Sequence, residues 1–333
     1  MDRRFALICA TAVLVSAPQL ARAETSSFTQ LYPAYRQETT QAPLQLQPNF
    51  TQREVPVLGG NRVRFPDGTV AHIMPWGQAS SPNFPIANDF SAMTYHGGTI
   101  QRSPKQVLIL WGFGKCTSTC TNDPNRTVPI LFNFLKDVGG ADYLDSTTQY
   151  FQKNGSLVTH VTNPHKTLFA FLVDNNAAPT HPTPAQVAVQ VQGAQKFLKQ
   201  GNNKDFNYVV AFGFRHDPPG FGPGGFCAFH TAFGTRTSFQ PFTEEPYVTE
   251  AGDACAANTV NGPLDGVSIV LGHEVGEAIT DPGLNAWFDH SGLSGENGDK
   301  CANIGLNQNV SLNGVIFPVQ PLFSNAGLFC SVT

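Results

Sequence analysis

Gln106–Phe113, QVLILWGF, is the stretch on which the fold turns. Its apolar residues follow one another without the alternation of a half-exposed strand. Such a run marks a strand buried on both faces. Downstream, Val128–Val138 (VPILFNFLKDV) reads as a helix, with Pro129 tolerated in its first turn. SLVTHVT (156–162) and TLFAFLV (167–173) read as strands paired across a turn at NPHK. Residues 180–200 open with proline punctuation and continue as a helix closed by Gly201. NYVVAFGF (207–214) is another buried strand, and FCAFHTAF (226–233) is strand-like after a loop rich in glycine and proline. Strands alternating with helices predict an α/β (mixed α+β) domain built on a layered sheet. The 31 glycines and 25 prolines make it loop-rich rather than a helical bundle.

The N-terminus has a different character. Arg3 and Arg4 precede an apolar run, Phe5–Ala17, and Ala21-Arg22-Ala23 forms an A-x-A cleavage site. This is the layout of a signal peptide, 1–23, cleaved after Ala23 for secretion or delivery to a periplasm. Residues 24–85, rich in Gln, Thr and Pro, read as an extended arm or pro-segment with short strand-like pieces at REVPVL and NRVRF. The main domain is then 86–333. Six cysteines remain in the mature chain: Cys116, Cys120, Cys227, Cys255, Cys301 and Cys330. An even count in an exported chain predicts disulfides, and pairing of neighbours along the chain is the simplest arrangement. Charged residues make up only 13% of the chain, and the net charge of −4 becomes −6 once the first 23 residues are removed. That balance argues against nucleic acid and against an anionic membrane surface as partners, and a monomer is expected.

The chemistry concentrates in Ser268–Gly283, SIVLGHEVGEAITDPG. Asp265 is a plausible N-cap, and Pro282-Gly283 is a stop signal. On the helix between them His273 and Glu277 lie one turn apart on a stripe with Val270 and Asp281, and Glu274 lies beside it. H-E-x-x-E thus differs from the zinc-binding H-E-x-x-H by a carboxylate in place of the second imidazole, and zinc accepts both donors. His273 and Glu277 are the expected ligands of one zinc ion. Glu274 is the expected general base, taking a proton from water as it attacks a carbonyl. A third ligand has to come from GENGDKC, with Glu296 preferred and Asp299 second. His230 is a candidate donor to the oxyanion, His96 a turn histidine, and Asp281 an outer acceptor for His273 or a ligand loop. An ordinary solvated amphipathic helix is the competing reading of the same letters. No G-x-S-x-G nucleophile elbow occurs, since GVSIV and GLSGE both lack the second glycine.

GHEVGEAITDP, AWFDHSG and GENGDKC together resemble the pattern S-H-E-L-x-E-A-x-T-D-P … W … G-E-x-G-D-x-C. That pattern belongs to exported bacterial and fungal H-E-x-x-E proteins related to the plant phosphate-induced, EXORDIUM-like family. MTYHGGTIQ, GFCAFHT and VQPLFSNAGLFC are similar to further segments of that family, so the resemblance runs in order over roughly 90–333. Thr99, Asn297 and Phe323 depart from the pattern without touching a proposed ligand. The resemblance implies a secreted zinc hydrolase acting on protein or peptide substrates. The alternative is a non-enzymatic secreted protein that binds cell-wall or surface material and keeps a structural metal site.

Overall fold

The computed structural model describes residues 27–31, 57–59, 61–75, 91–222, 224–289 and 295–333. The expected signal peptide and most of the 24–85 segment lie outside these residues. Nine strands form one sheet: β1 (Phe28–Gln30), β2 (Val57–Gly59), β3 (Arg62–Arg64), β4 (Val70–Pro75), β5 (Lys105–Trp111), β6 (Leu168–Asp174), β7 (Phe206–Phe212), β8 (Phe226–Gly234) and β9 (Phe239–Glu245). Their order across the sheet is β1-β6-β5-β7-β9-β8-β4-β3-β2. The helices are α1 (Thr127–Asp137), α2 (Pro184–Leu198) and α3 (Asp265–Thr280).

The architecture is mixed α+β, as the alternation of strands and helices predicts. Strands β6, β5, β7 and β9 run parallel, and β8, β4, β3 and β2 continue the sheet antiparallel. The apolar run of β5 has a simple cause. Its side chains alternate between two cores, and both faces are covered. Val107, Ile109 and Trp111 pack with Val187, Val191 and Ala194 of α2. Leu108 and Leu110 face the opposite core, shared with Leu131 and Leu135 of α1 and with Val267 and Leu271 of α3. Each such side chain withdrawn from water contributes about 1.5–3 kcal/mol before the entropy of ordering it is counted.

Three local expectations give way to tertiary context. LFAFLVD does not pair across NPHK; it lies parallel to β5, because its continuous apolar pattern suits a doubly covered strand. The partly exposed Leu157–His160 instead forms a hairpin with Phe151–Asn154. Helix α2 ends at Leu198 with Lys199 left-handed at φ 55°, before Gly201 is reached. Asp265 is the first helical residue rather than the N-cap. Its Oδ2 accepts N–H groups from Val260, Asn261 and Gly262, fastening the preceding turn. The cysteines pair as neighbours along the chain: Cys116–Cys120, Cys227–Cys255 and Cys301–Cys330. No helix among the described residues is long and apolar enough to cross a membrane.

Residues 57–75, read from sequence as part of an arm, supply β2, β3 and β4 to the same sheet. In β4, His72 stands directly opposite His230 of β8 in the antiparallel register. Opposed residues project from the same sheet face. That face is the one α3 covers, since α3 packs on β8, β9 and β4.

Beyond β7, Glu250 lies against Asp217 and accepts the Arg215 backbone N–H at 2.9 Å. Burial, reinforced by the Asp217 charge, pushes the Glu250 carboxyl up from 4.5 to about 8. The folded state therefore binds this proton more tightly than the unfolded chain. Its stabilisation is complete below about pH 4.5 and is lost as the pH rises through about 8. Glu250→Gln is expected to flatten that part of the pH–stability curve by up to about 4 kcal/mol, read from urea midpoints between pH 5 and 8.5. An unchanged slope in the variant contradicts the assignment.

Candidate metal centre

Helix α3 is buried along all of its sixteen residues, so a solvated face does not explain its polar letters. The glycines on it permit close packing. A Cβ at Gly272 would lie 2.8 Å from the Tyr143 hydroxyl oxygen, and one at Gly276 would lie 2.6 Å from Leu322. Each glycine weakens an isolated helix by about 1 kcal/mol relative to alanine, and the fold accepts this to bring the helix against its neighbours.

On the inner face His273 Nε2 lies 3.0 Å from Glu277 Oε1, the one-turn pairing that the spacing predicts. The segment after the helix folds back over it. There Asp299 Oδ1 lies 3.6 Å from His273 Nε2, and the Asp299 backbone N–H donates to Glu277 Oε1 at 3.0 Å. Across the sheet, His230 Nδ1 is 3.4 Å from both Glu274 Oε2 and Glu277 Oε2. His230 Nε2 is 3.5 Å from Glu296 Oε2, which in turn meets His72 Nδ1 at 2.5 Å. Glu274, Glu277, Glu296, Asp299 and His230 are thus brought together around His273, all of them 5% exposed or less.

Sequence reasoning missed His72, which lies in the segment taken for an arm; the only signal was a histidine within the otherwise apolar VAHIM. It also missed Gln320. The Gln320 amide nitrogen donates to Gly298 O at 2.7 Å, and the same amide lies against His273 Nδ1, with its nitrogen at 3.1 Å and its oxygen at 3.3 Å. With Nδ1 occupied by that amide, Nε2 is the ring nitrogen that faces the carboxylates, as the ligating nitrogen of a metal-bound histidine must. Asp281 reaches the ligand loop, where its carboxyl lies against that of Glu296, and it also closes the end of the helix. Its Oδ1 accepts the N–H groups of Asn285 and Ala286 and holds the turn after the helix. His96 stacks on Phe288 at 3.6 Å and bonds within its own turn, a structural role.

The charges are poorly matched within the protein alone. Burial drives the carboxyls of Glu296 and Asp299 well above the usual range, and neighbouring Glu277 adds to both shifts. Burial also raises Glu274. It disfavours the charged forms of His230 and His273, but the surrounding carboxylates outweigh it and lift them to about 10 and 9. His72 falls to about 3, because burial and the nearby His230 charge outweigh the pull of Glu277. The contacts fall within ion-pair range but out of hydrogen-bond alignment. His72 Nδ1, His230 Nδ1, His273 Nε2, Glu277 Oε2, Asp299 Oδ1 and both oxygens of Glu274 and Glu296 close no aligned hydrogen bond. Buried polar atoms are rarely left so, and a cation is the usual remedy. Three overlapping triads have ligand atoms within 4.8 Å of one another: His273-Glu274-Glu277, His230-Glu277-Glu296 and His72-Glu296-Asp299. The donors present, imidazole nitrogen and carboxylate oxygen, therefore fit a metal ion.

No protein-family model matches the chain, and no curated protein or solved structure matches it either. The likeness to H-E-x-x-E proteins rests on the motifs alone.

Gly298 is where the ligand loop crosses the helix most closely. A Cβ there would stand 2.9 Å from Glu277 Oε1 and from His273 Cγ and Nδ1. Gly298→Ala is expected to push the loop off the helix and weaken metal binding about 10–100-fold, as outer contacts of metal sites do. Competition against a chromophoric chelator measures this; wild-type affinity in the variant contradicts it.

Proposed function

We propose that this chain is a zinc-dependent hydrolase of peptide bonds, with the ion held by His273, Glu277 and Asp299. The observation that carries the reading is that His273 Nε2 lies 3.0 Å from Glu277 Oε1 and 3.6 Å from Asp299 Oδ1, with Glu274 beside them. Zinc suits one imidazole and two carboxylates, and when bound it polarises a carbonyl and acidifies water. Glu274 projects next to the ligand stripe with both oxygens free of aligned hydrogen bonds, so it is placed to accept a proton from an attacking water and to pass it to the leaving amine. His230 Nδ1, 3.4 Å from Glu274 Oε2, is positioned to fix that carboxylate and to offer positive charge where negative charge develops. Gln320 holds the His273 ring, and the Cys301–Cys330 disulfide ties the short turn Asp299–Cys301 to the C-terminal segment. Three disulfides suit an oxidising compartment, in keeping with export. The resemblance to exported H-E-x-x-E proteins supports the same reading.

The test is cleavage of an unfolded protein substrate by the mature protein, its loss on chelation and its return with zinc. Zinc-loaded protein that cleaves no member of a diverse peptide library would overturn the reading. Deep burial of the ligand residues, none more than 5% exposed, favours a second reading, a surface-binding protein with a structural ion. On that reading chelation lowers stability, and no cleavage is seen at any stage.

A further inference from the structure

We propose that the cluster is a two-cation centre, with a second ion held by His72 and Glu296 and with Asp299 shared between the two. This rests on the same cluster as the proposed function but not on hydrolysis.

The first observation is that there are too many ligands for one ion. A zinc site takes four donors, of which protein supplies three or four. Here three imidazoles and four carboxylates, all 5% exposed or less, crowd one interior volume: His72, His230, His273, Glu274, Glu277, Glu296 and Asp299. The second is how they divide. His273 and Glu277 meet at 3.0 Å on helix α3, whereas His72 and Glu296 meet at 2.5 Å at the sheet edge of the cluster. Asp299 belongs to both halves. Its Oδ1 is 3.6 Å from His273 Nε2, and it groups with His72 and Glu296 inside 4.8 Å. Its other oxygen is engaged by the N–H groups of Gly295 and Glu296, at 3.3 and 3.2 Å, which aims Oδ1 into the cluster. Each half thus has one imidazole, one glutamate and a share of one aspartate. His72 Nδ1, both Glu296 oxygens and Asp299 Oδ1 close no aligned hydrogen bond, although their residues are buried.

Charge points the same way. The buried carboxylates outnumber the three imidazoles, and Asp281 adds a fifth against Glu296, so acidic groups are in excess in an interior where isolated charge is expensive, and a second dication adds to their compensation. Paired ions joined by a carboxylate are a recurrent hydrolytic arrangement that clamps both the attacking and the leaving atoms. The second site also gives residues 57–75 a functional reason to be part of the sheet, since β4 delivers His72.

The test uses the full mature chain, stripped with chelator and titrated with Co²⁺, the d–d absorption reporting each equivalent bound. Wild type is expected to take up two equivalents per chain, and His72→Ala one, with the His273 half retained. Should that variant fail to fold, Mn²⁺-loaded wild type gives an independent measurement. Exchange coupling between two Mn²⁺ ions in its electron paramagnetic resonance spectrum is expected. A single Co²⁺ equivalent in wild type, or isolated uncoupled Mn²⁺ spectra at saturation, overturns the proposal. Those readouts involve no substrate, so failure of the hydrolase reading leaves them unchanged, and a single-ion result leaves hydrolysis standing.

Discussion

Glu274→Gln is expected to lower hydrolysis by about 10²–10⁴-fold, the usual contribution of a positioned general base, while metal content stays at the wild-type level. The separation of the two readouts follows from geometry. Glu274 is adjacent in sequence to His273 but points past the ligand stripe toward His230, with Oε2 at 3.4 Å from Nδ1. Glutamine has the same shape and can take up that contact, yet it cannot accept the proton. Elemental analysis and initial rates on one preparation decide the matter. A parallel fall in metal and activity would assign Glu274 as a ligand instead. Full activity in the variant removes it from the chemistry altogether.

Chelation is expected to destabilise the fold by about 4 kcal/mol, the linkage value for an ion present at roughly a thousand times its dissociation constant. For a chain of this size that corresponds to a fall in melting temperature of about 6 °C. The physical cause is the concentration of buried carboxylates and imidazoles that the protein itself leaves without aligned partners. Stripping should also be accompanied by proton uptake. His273 and His230 are held near 9 and 10 by their carboxylate neighbours, so they charge as the cation leaves. Differential scanning calorimetry with and without chelator measures the shift. His273→Ala should melt low and be insensitive to chelator. Equal melting temperatures for stripped and zinc-loaded wild type would rule out the coupling between ion and fold.

Much of the fold could be read along the chain because its signals are local. The unbroken apolar run of β5 requires cover on both faces, and α1 and α2 provide it. Proline within the first turn and the Pro-Gly after Asp281 mark helix ends at short range. Pairing partners are not local. The 167–173 strand carries no mark that distinguishes a hairpin from a parallel neighbour, except the apolar continuity that becomes decisive only once helices cover both faces.

The candidate site divides along the same line. His273, Glu274 and Glu277 share one helix, so the 3.6-residue repeat alone determined that an imidazole and a carboxylate would meet one turn apart, and they do so at 3.0 Å. Glu296 and Asp299 were visible as candidates because they follow within one short motif. Which imidazole each approaches was decided by the loop closing over α3 at Gly298 and by the Gln320 amide that holds both loop and ring. His72 lies more than two hundred residues from His273 and entered the cluster only through the antiparallel register of β4 with β8. The letters therefore specified the candidate half-site on the helix, because helical periodicity is a property of adjacent residues. The second half, and the unbalanced buried charge that asks for cations, exist only where strand pairing and loop closure bring distant residues into one dry volume.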